Sequence, residues 1–274
     1  MPPYELEVPR KDARPLLVEV PHAGLAVPEA VTDELVAPPE AIVRDADIYV
    51  DKLYGQAPEA GATLLYATVS RYVVDLNRAS DDVDAATVSD HPAPAGVQPR
   101  GVVWRSTTDG RPVLTRPLTY ERLLARLEHY YTPYHATLER TLAELRERFG
   151  YAILLAGHSM PSMGRSLHAD PGARRADVVP GSRGGTTCDP RVLDLVDAHF
   201  SEAGLSVRHD DPYKGGFSTT HYGRPRERWH AVQIELNRGL YVDEASGQPK
   251  EPEFGQLSAL LQRLVEKLAQ LDLS

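Results

Sequence analysis

Short uninterrupted apolar runs alternate along the chain with longer segments in which apolar residues recur every three or four positions. The runs read as strands and the periodic segments as helices. Leu16–Val20, stopped by Pro21, is the first predicted strand, followed by Thr63–Ala67 and Val69–Leu76. Tyr151–Ala156, almost all Ile, Leu and Ala, suits a central strand buried on both faces. Leu205–Arg208 and Ala231–Leu236 add two further candidates. Helical spacing covers Asp47–Ala60, with Gly61 as its stop, and Thr119–Phe149, bent or broken at Pro133 and ended by Gly150. Asp189 reads as an N-cap with Pro190 in the first turn, and Gly204 ends that helix. An amphipathic helix over Glu253–Leu271 closes the chain. The Pro-rich Asp90–Gly101 and the Gly-, Ser- and Arg-rich Pro161–Thr187 read as loops.

Strands alternating with helices predict an α/β protein with a mixed, largely parallel sheet flanked by helices. No repeat or linker divides it, so residues 1–274 are expected to form one domain. Its 30 basic and 39 acidic residues give a net charge of −9, which argues against nucleic-acid binding yet leaves room for a local arginine cluster that holds a small anion. A single cysteine, Cys188, excludes an intrachain disulfide and a Cys-rich zinc module. No apolar run approaches the roughly 18 residues of a membrane span, and the polar segment Met1–Arg14 has no signal-peptide core. A cytoplasmic protein without a membrane partner is expected; the pattern leaves its oligomeric state open.

The candidate chemistry gathers at strand ends, where open α/β sheets keep their ligand sites. Ser70-Arg71-Tyr72-Val73-Val74-Asp75-Leu76-Asn77-Arg78 delivers an Asn-Arg pair suited to gripping a carboxylate. Pro21-His22, Gly157-His158-Ser159 and Glu235-Leu236-Asn237-Arg238 end other runs in the same way. His22 and His158 are either hydrogen-bonded loop histidines or neutral metal ligands. A catalytic zinc usually takes three protein ligands, and Asp45, Asp47 and Asp51 are the third candidates. Asp47 and Asp45 also suit a helix N-cap. Glu235 interrupts an apolar strand, so it is a buried ion-pair partner of Arg238 or Arg78, or else a general base. Arg71 is either an ion-pair arginine or an oxyanion-stabilising one. The Gly-rich segment Pro212–Gly223 offers Lys214 and His221 to an anionic substrate, or is simply a flexible hairpin. Gly157-His158-Ser159-Met160-Pro161 lacks the nucleophile-elbow pattern of serine hydrolases.

These segments together resemble the N-formylglutamate amidohydrolase (deformylase) family. The resemblance is carried by Val20-Pro21-His22-Ala23-Gly24, Asp45-Ala46-Asp47 with Leu53-Tyr54, Ser70–Arg78, His158-Ser159 and Cys188-Asp189-Pro190. It continues through Tyr213-Lys214-Gly215-Gly216, His221-Tyr222-Gly223 and His230–Leu236. It implies a phosphorylase/hydrolase-like fold, akin to zinc carboxypeptidases and aspartoacylases, with one zinc ion per chain. It further implies His22, Asp47 and His158 as ligands, Glu235 as the base and Arg71 at the oxyanion. Asn77 and Arg78, with Lys214 and His221, would hold a small anionic N-acyl amino acid. Two positions depart from the pattern. Leu25 stands where relatives of this fold carry the Glu of His-x-x-Glu, which moves the acidic ligand to Asp47 in preference to Asp45. Ala156 stands where many family members carry an Asp two residues before the later histidine. The implied reaction is hydrolysis of N-formyl-L-glutamate to formate and glutamate, the last step of one histidine-degradation route. The alternatives are another N-acyl amino acid or short peptide, a metal-free hydrolase, and a non-catalytic carboxylate-binding homologue.

Overall fold

A computed structural model describes residues 2–274. Six strands form the main sheet: β1 (Tyr4–Glu7), β2 (Leu16–Val20), β3 (Thr63–Ala67), β4 (Ala152–Met160), β5 (Val178–Gly181) and β6 (Trp229–Asn237). Their order is β1-β3-β2-β4-β6-β5. The four inner strands run parallel, and the edge strands β1 and β5 are antiparallel to their neighbours. The sheet is therefore mixed and largely parallel, flanked by helices as the alternation of patterns predicts. Among the described residues, no helix is long and apolar enough to cross a membrane.

Both faces are covered, and strand parity decides which residue meets which layer. Leu16, Val18, Val20, Ile153, Leu155, Val232 and Ile234 enter one core with the helices Pro190–Glu202 and Glu253–Gln270. Leu17, Leu154 and Ala231 enter the other core, with Tyr134, Leu138 and Leu142 of the helix Thr132–Phe149. Toward the C-terminal ends of β2, β4 and β6, the parity of this second face passes to Glu19, His158, Gln233 and Glu235. The chemistry thus lies on one face, at the end of the sheet where parallel strands leave a crevice.

Several predicted boundaries hold. The Asp189 carboxylate accepts from the Arg191 backbone N–H at 3.0 Å, and Gly150 takes a left-handed φ of 83° after the helix that precedes it. The segment through Pro133 stays helical because a wider turn over Leu127–Tyr131 accommodates the missing donor and the ring.

Other expectations are corrected. Val69–Leu76 is buried but forms turns, with no strand among its residues. Its carbonyls at Tyr72 and Val73 are taken by the buried guanidinium of Arg126, itself paired with Glu34 at 2.6 Å. An apolar run whose backbone finds side-chain partners needs no ladder. Asp47–Ala60 is not one helix: Tyr49 adopts a left-handed φ of 63°, and only Val50–Leu53 and Ala57–Ala60 turn helically. The predicted loop Pro161–Thr187 contains β5, whereas Leu205–Arg208 makes only an isolated bridge from Val207 to Val178.

Candidate active site

Pro21 ends β2, and the chain turns so that His22 faces the crevice. The turn passes so close to a neighbouring loop that a Cβ on Gly24 would come within 2.4 Å of the Thr68 carbonyl carbon. The Asp47 backbone N–H donates to the His22 carbonyl oxygen at 3.0 Å, bringing the second loop alongside. His158 projects from β4 beside Glu235, its register partner on β6. Nδ1 of His158 lies 3.0 Å from Oδ2 of Asp47, and Nδ1 of His22 lies 3.4 Å from the same oxygen. Potential ligand atoms of His22, Asp47 and His158 all fall within 4.8 Å of one another, and all three residues are buried.

Asp75 completes this cluster, and the sequence analysis gave it no role of its own. It is fully buried, and its Oδ1 meets His22 Nε2 at 2.8 Å. With Nε2 committed to a carboxylate, the imidazole presents Nδ1 to the cluster. That nitrogen is buried and, among the described residues, has no hydrogen-bond partner. Two imidazole nitrogens and a carboxylate, one nitrogen bare and its ring fixed from behind, form a donor set that fits a zinc ion. Asp75 Oδ2 accepts from Arg71 Nη2 at 2.8 Å and from the Trp104 indole at 2.9 Å. Burial opposes ionisation of Asp75, yet Arg71 and His22 hold its carboxyl well below the usual range. Asp75, like Glu235, is a carboxylate inside an apolar run.

Asp47 and Asp45 have different neighbours. Burial works against ionised Asp47, but the hydrogen bond with His158 and the closeness of His22 keep it below the ordinary value. It caps no helix. Among the described residues Asp45 bonds to neither histidine. It accepts from Tyr72 Oη at 2.6 Å, from the Thr108 backbone N–H at 2.9 Å and from Arg165 at 2.8 Å. Burial opposes its ionisation, but hydrogen bonds from Thr108, Tyr72 and Arg44 prevail and lower its carboxyl to about 2.

Glu235 is 6% exposed and accepts from Gln233 Nε2 at 2.9 Å. Among the described residues it forms no ion pair. Arg238 instead binds the Arg44 and Ala46 carbonyls, at 2.8 and 2.7 Å. Burial pushes the Glu235 carboxyl up to about 7. A carboxyl so placed can take and return a proton near neutral pH.

Ala156 lies on the same face as His158, between Glu19 of β2 and Gln233 of β6 in the strand register. Glu19 is fully buried, accepts from Tyr134 and Ser218, and is pushed up to about 7 by burial. His158 Nε2 is met by the Asn77 amide at 3.2 Å. With alanine at position 156, polar side chains from neighbouring elements surround the second histidine.

A cavity of about 340 Å³ opens over this cluster, lined among others by Arg71, Asn77, Arg78, Lys214 and Glu235. Asn77 lines it with an amide already committed. Its Nδ2 reaches His158 and Gln233, and its oxygen accepts from the Ser218 N–H at 2.9 Å. The backbone at Gly216 approaches so closely that a Cβ there would fall 2.3 Å from Asn77 Nδ2. Among the described residues Arg78 has only a loose ion pair, 3.9 Å to Asp82. Lys214 is exposed at the rim. His221 corrects an expectation: it lies outside the cavity, exposed and stacked on Phe217 with ring centroids 4.8 Å apart. The short helix Phe217–Tyr222 turns it away from the crevice.

A largely parallel α/β sheet with a buried His-Asp-His cluster and a buried glutamate at its C-terminal edge defines a hydrolase-type site. Residues 14–242 match the N-formylglutamate amidohydrolase family. The N-formylglutamate deformylase of Pseudomonas aeruginosa is 36% identical over 258 residues, covering 93% of this chain and 92% of that protein. The Pseudomonas putida deformylase is 35% identical over the same length, with the same coverage. The crystal structure of N-formylglutamate amidohydrolase from Ralstonia eutropha JMP134 superposes with a TM-score of 0.89 at 37% identity, covering 98% of both chains. The chain belongs to the N-formylglutamate amidohydrolase family.

Proposed function

We propose that this protein is a zinc-dependent amidohydrolase that cleaves N-formyl-L-glutamate to formate and L-glutamate. The observation that carries the reading is the bare, buried Nδ1 of His22 beside Asp47 and His158, with Glu235 across the sheet register. His22, Asp47 and His158 would hold the ion. Bound there, zinc would supply Lewis acidity toward the formyl carbonyl and acidify water.

The chain's own residues do the rest. Asp75 fixes the ring and tautomer of His22, and Asn77 faces the far nitrogen of His158. Glu235 takes a proton from the water that attacks the formyl carbon. It returns that proton to the departing nitrogen as the C–N bond breaks. Arg71 lines the cavity with its charge held in place by Asp75, where it can stabilise the negative oxygen that forms. Arg78 and Lys214 supply the positive charge that draws a dianionic substrate. Histidine catabolism belongs to the same reading and rests on the resemblance alone.

The test is formate release from N-formyl-L-glutamate by metal-stripped protein and by the same protein reloaded with zinc. Activity confined to the reloaded sample is the expected result. No formate in either sample would overturn the substrate, and equal rates in both would overturn the metal.

A further inference from the structure

Most cationic side chains lining the cavity are neutralised by the protein itself. Arg71 is held by Asp75 at 2.8 Å, Arg165 by Asp45 at 2.8 Å, and Arg44 by Asp109 at 2.6 Å. Arg238 caps two backbone carbonyls. Arg100, from the predicted Pro-rich loop, is different. Its one hydrogen bond is long, 3.4 Å from Nη1 to the Thr107 carbonyl oxygen, and among the described residues it forms no ion pair. Its guanidinium lies 5.9 Å from the centroid of the Trp104 ring. Burial, with the like charges of Arg78 and Arg71 nearby, holds it below the usual guanidinium value although Asp45 acts in the opposite direction. A half-buried cation among cations lacks a counter-ion, and the cavity is where one can enter.

The position of Arg100 indicates which anion it takes. Trp104 donates to Asp75, which holds His22, and Arg71 packs over the same indole at 4.4 Å. Arg100 shares the Trp104 ring with Arg71, but among the described residues it makes no hydrogen bond to His22, Asp47, Asp75 or His158. Arg78, in contrast, directly follows Asn77, which touches His158. The α-carboxylate of an N-acyl amino acid is one carbon removed from the scissile nitrogen and needs a cation close to the cluster. A side-chain carboxylate extends further out.

We propose that Arg100 pairs with the side-chain carboxylate of the substrate and so selects dicarboxylic over monocarboxylic N-acyl amino acids, which rests on the N-formyl amino acid reading given above. Arg100→Gln and Arg100→Lys are compared with the parent on N-formyl-L-glutamate and on N-formyl-L-glutamine, its isostere with a neutral side chain. Glutarate and butyrate affinities are measured by calorimetry on the same zinc-loaded proteins. The ratio of kcat/KM between the two substrates is expected to fall about ten- to a hundredfold in Arg100→Gln and less in Arg100→Lys. Glutarate affinity falls in parallel, while butyrate affinity moves little. Equal losses on both substrates, or glutarate affinity independent of Arg100, would overturn the assignment. If the parent releases formate from neither substrate but its glutarate affinity still depends on Arg100, the formyl-substrate reading fails alone and the carboxylate assignment stands.

Discussion

Asp45 and Asp47 are two residues apart and both buried, yet replacing each by Asn should give opposite results. Asp45 is bonded by Arg165 and by Thr108, Tyr72 and Arg44, and the last three lower its carboxyl from 3.8 to about 2 against the effect of burial. At 1.36 kcal/mol per pKa unit, that shift corresponds to about 2 kcal/mol of folding stability. Because the folded value lies below the unfolded one, this stabilisation is complete above about pH 4 and is lost as pH falls through about 2. Asn at position 45 has one accepting oxygen for several donors and turns its own N–H groups toward guanidinium groups. Urea denaturation at pH 7.5 should show Asp45→Asn less stable by about 2 kcal/mol or somewhat more. The difference from the parent should shrink as the pH is lowered toward 2. Zinc content after dialysis should match the parent. Asp47→Asn should instead lose zinc, because Asp47 Oδ2 is the atom shared by His22 and His158. If Asp45→Asn lost zinc and kept its stability while Asp47→Asn kept zinc, the division of labour argued here would be wrong.

Three further outcomes are expected. Glu235→Gln should lower kcat by about a hundredfold or more while still binding zinc. In the parent, kcat/KM should decline as pH falls below about 7, where the buried Glu235 gains its proton, and a residual rate in the variant that kept this acid limb would exclude Glu235 as its source. Asp75→Asn should weaken zinc binding about ten- to a hundredfold by freeing the His22 ring, read by competition with a chelator; an unchanged affinity would remove Asp75 from the metal's support. His221→Ala should change kcat and KM less than about twofold, because exposed surface substitutions have small effects; a large rise in KM would return His221 to the binding site.

Much of the site was legible because strand parity is a local property. Alternation along Leu16–Val20 and Ala231–Leu236 marks one residue in two for each face, so a charged residue within these runs announces itself. Glu235 was found in this way, and His22 and His158 as histidines that end apolar runs. The same rule applied to Asp75 and Glu19 would have marked two more buried carboxylates. Val69–Leu76 misled for a physical reason. A buried apolar run has the same composition whether a neighbouring strand or a buried arginine takes its carbonyls, and Arg126 lies 53 residues beyond Val73.

The sequence by itself determined the alternation of elements, the two-sided burial of the central strands and the residue types gathered at their C-terminal ends, because each depends on patterns a few residues long. Only the tertiary structure decided which groups meet. Asp75 joins His22 across 53 residues, Asp47 joins His158 across 111, and Asp45, chemically identical to Asp47, is drawn into a structural network. Asn77, a clamp residue by pattern, has its amide committed to His158, Gln233 and Ser218, whereas Arg100, from the Pro-rich loop, is left among the described residues with one long hydrogen bond and no ion pair. Hydrogen-bond capacity is fixed by residue type, but how much remains for a ligand depends on which neighbours the packed chain brings within 3 Å.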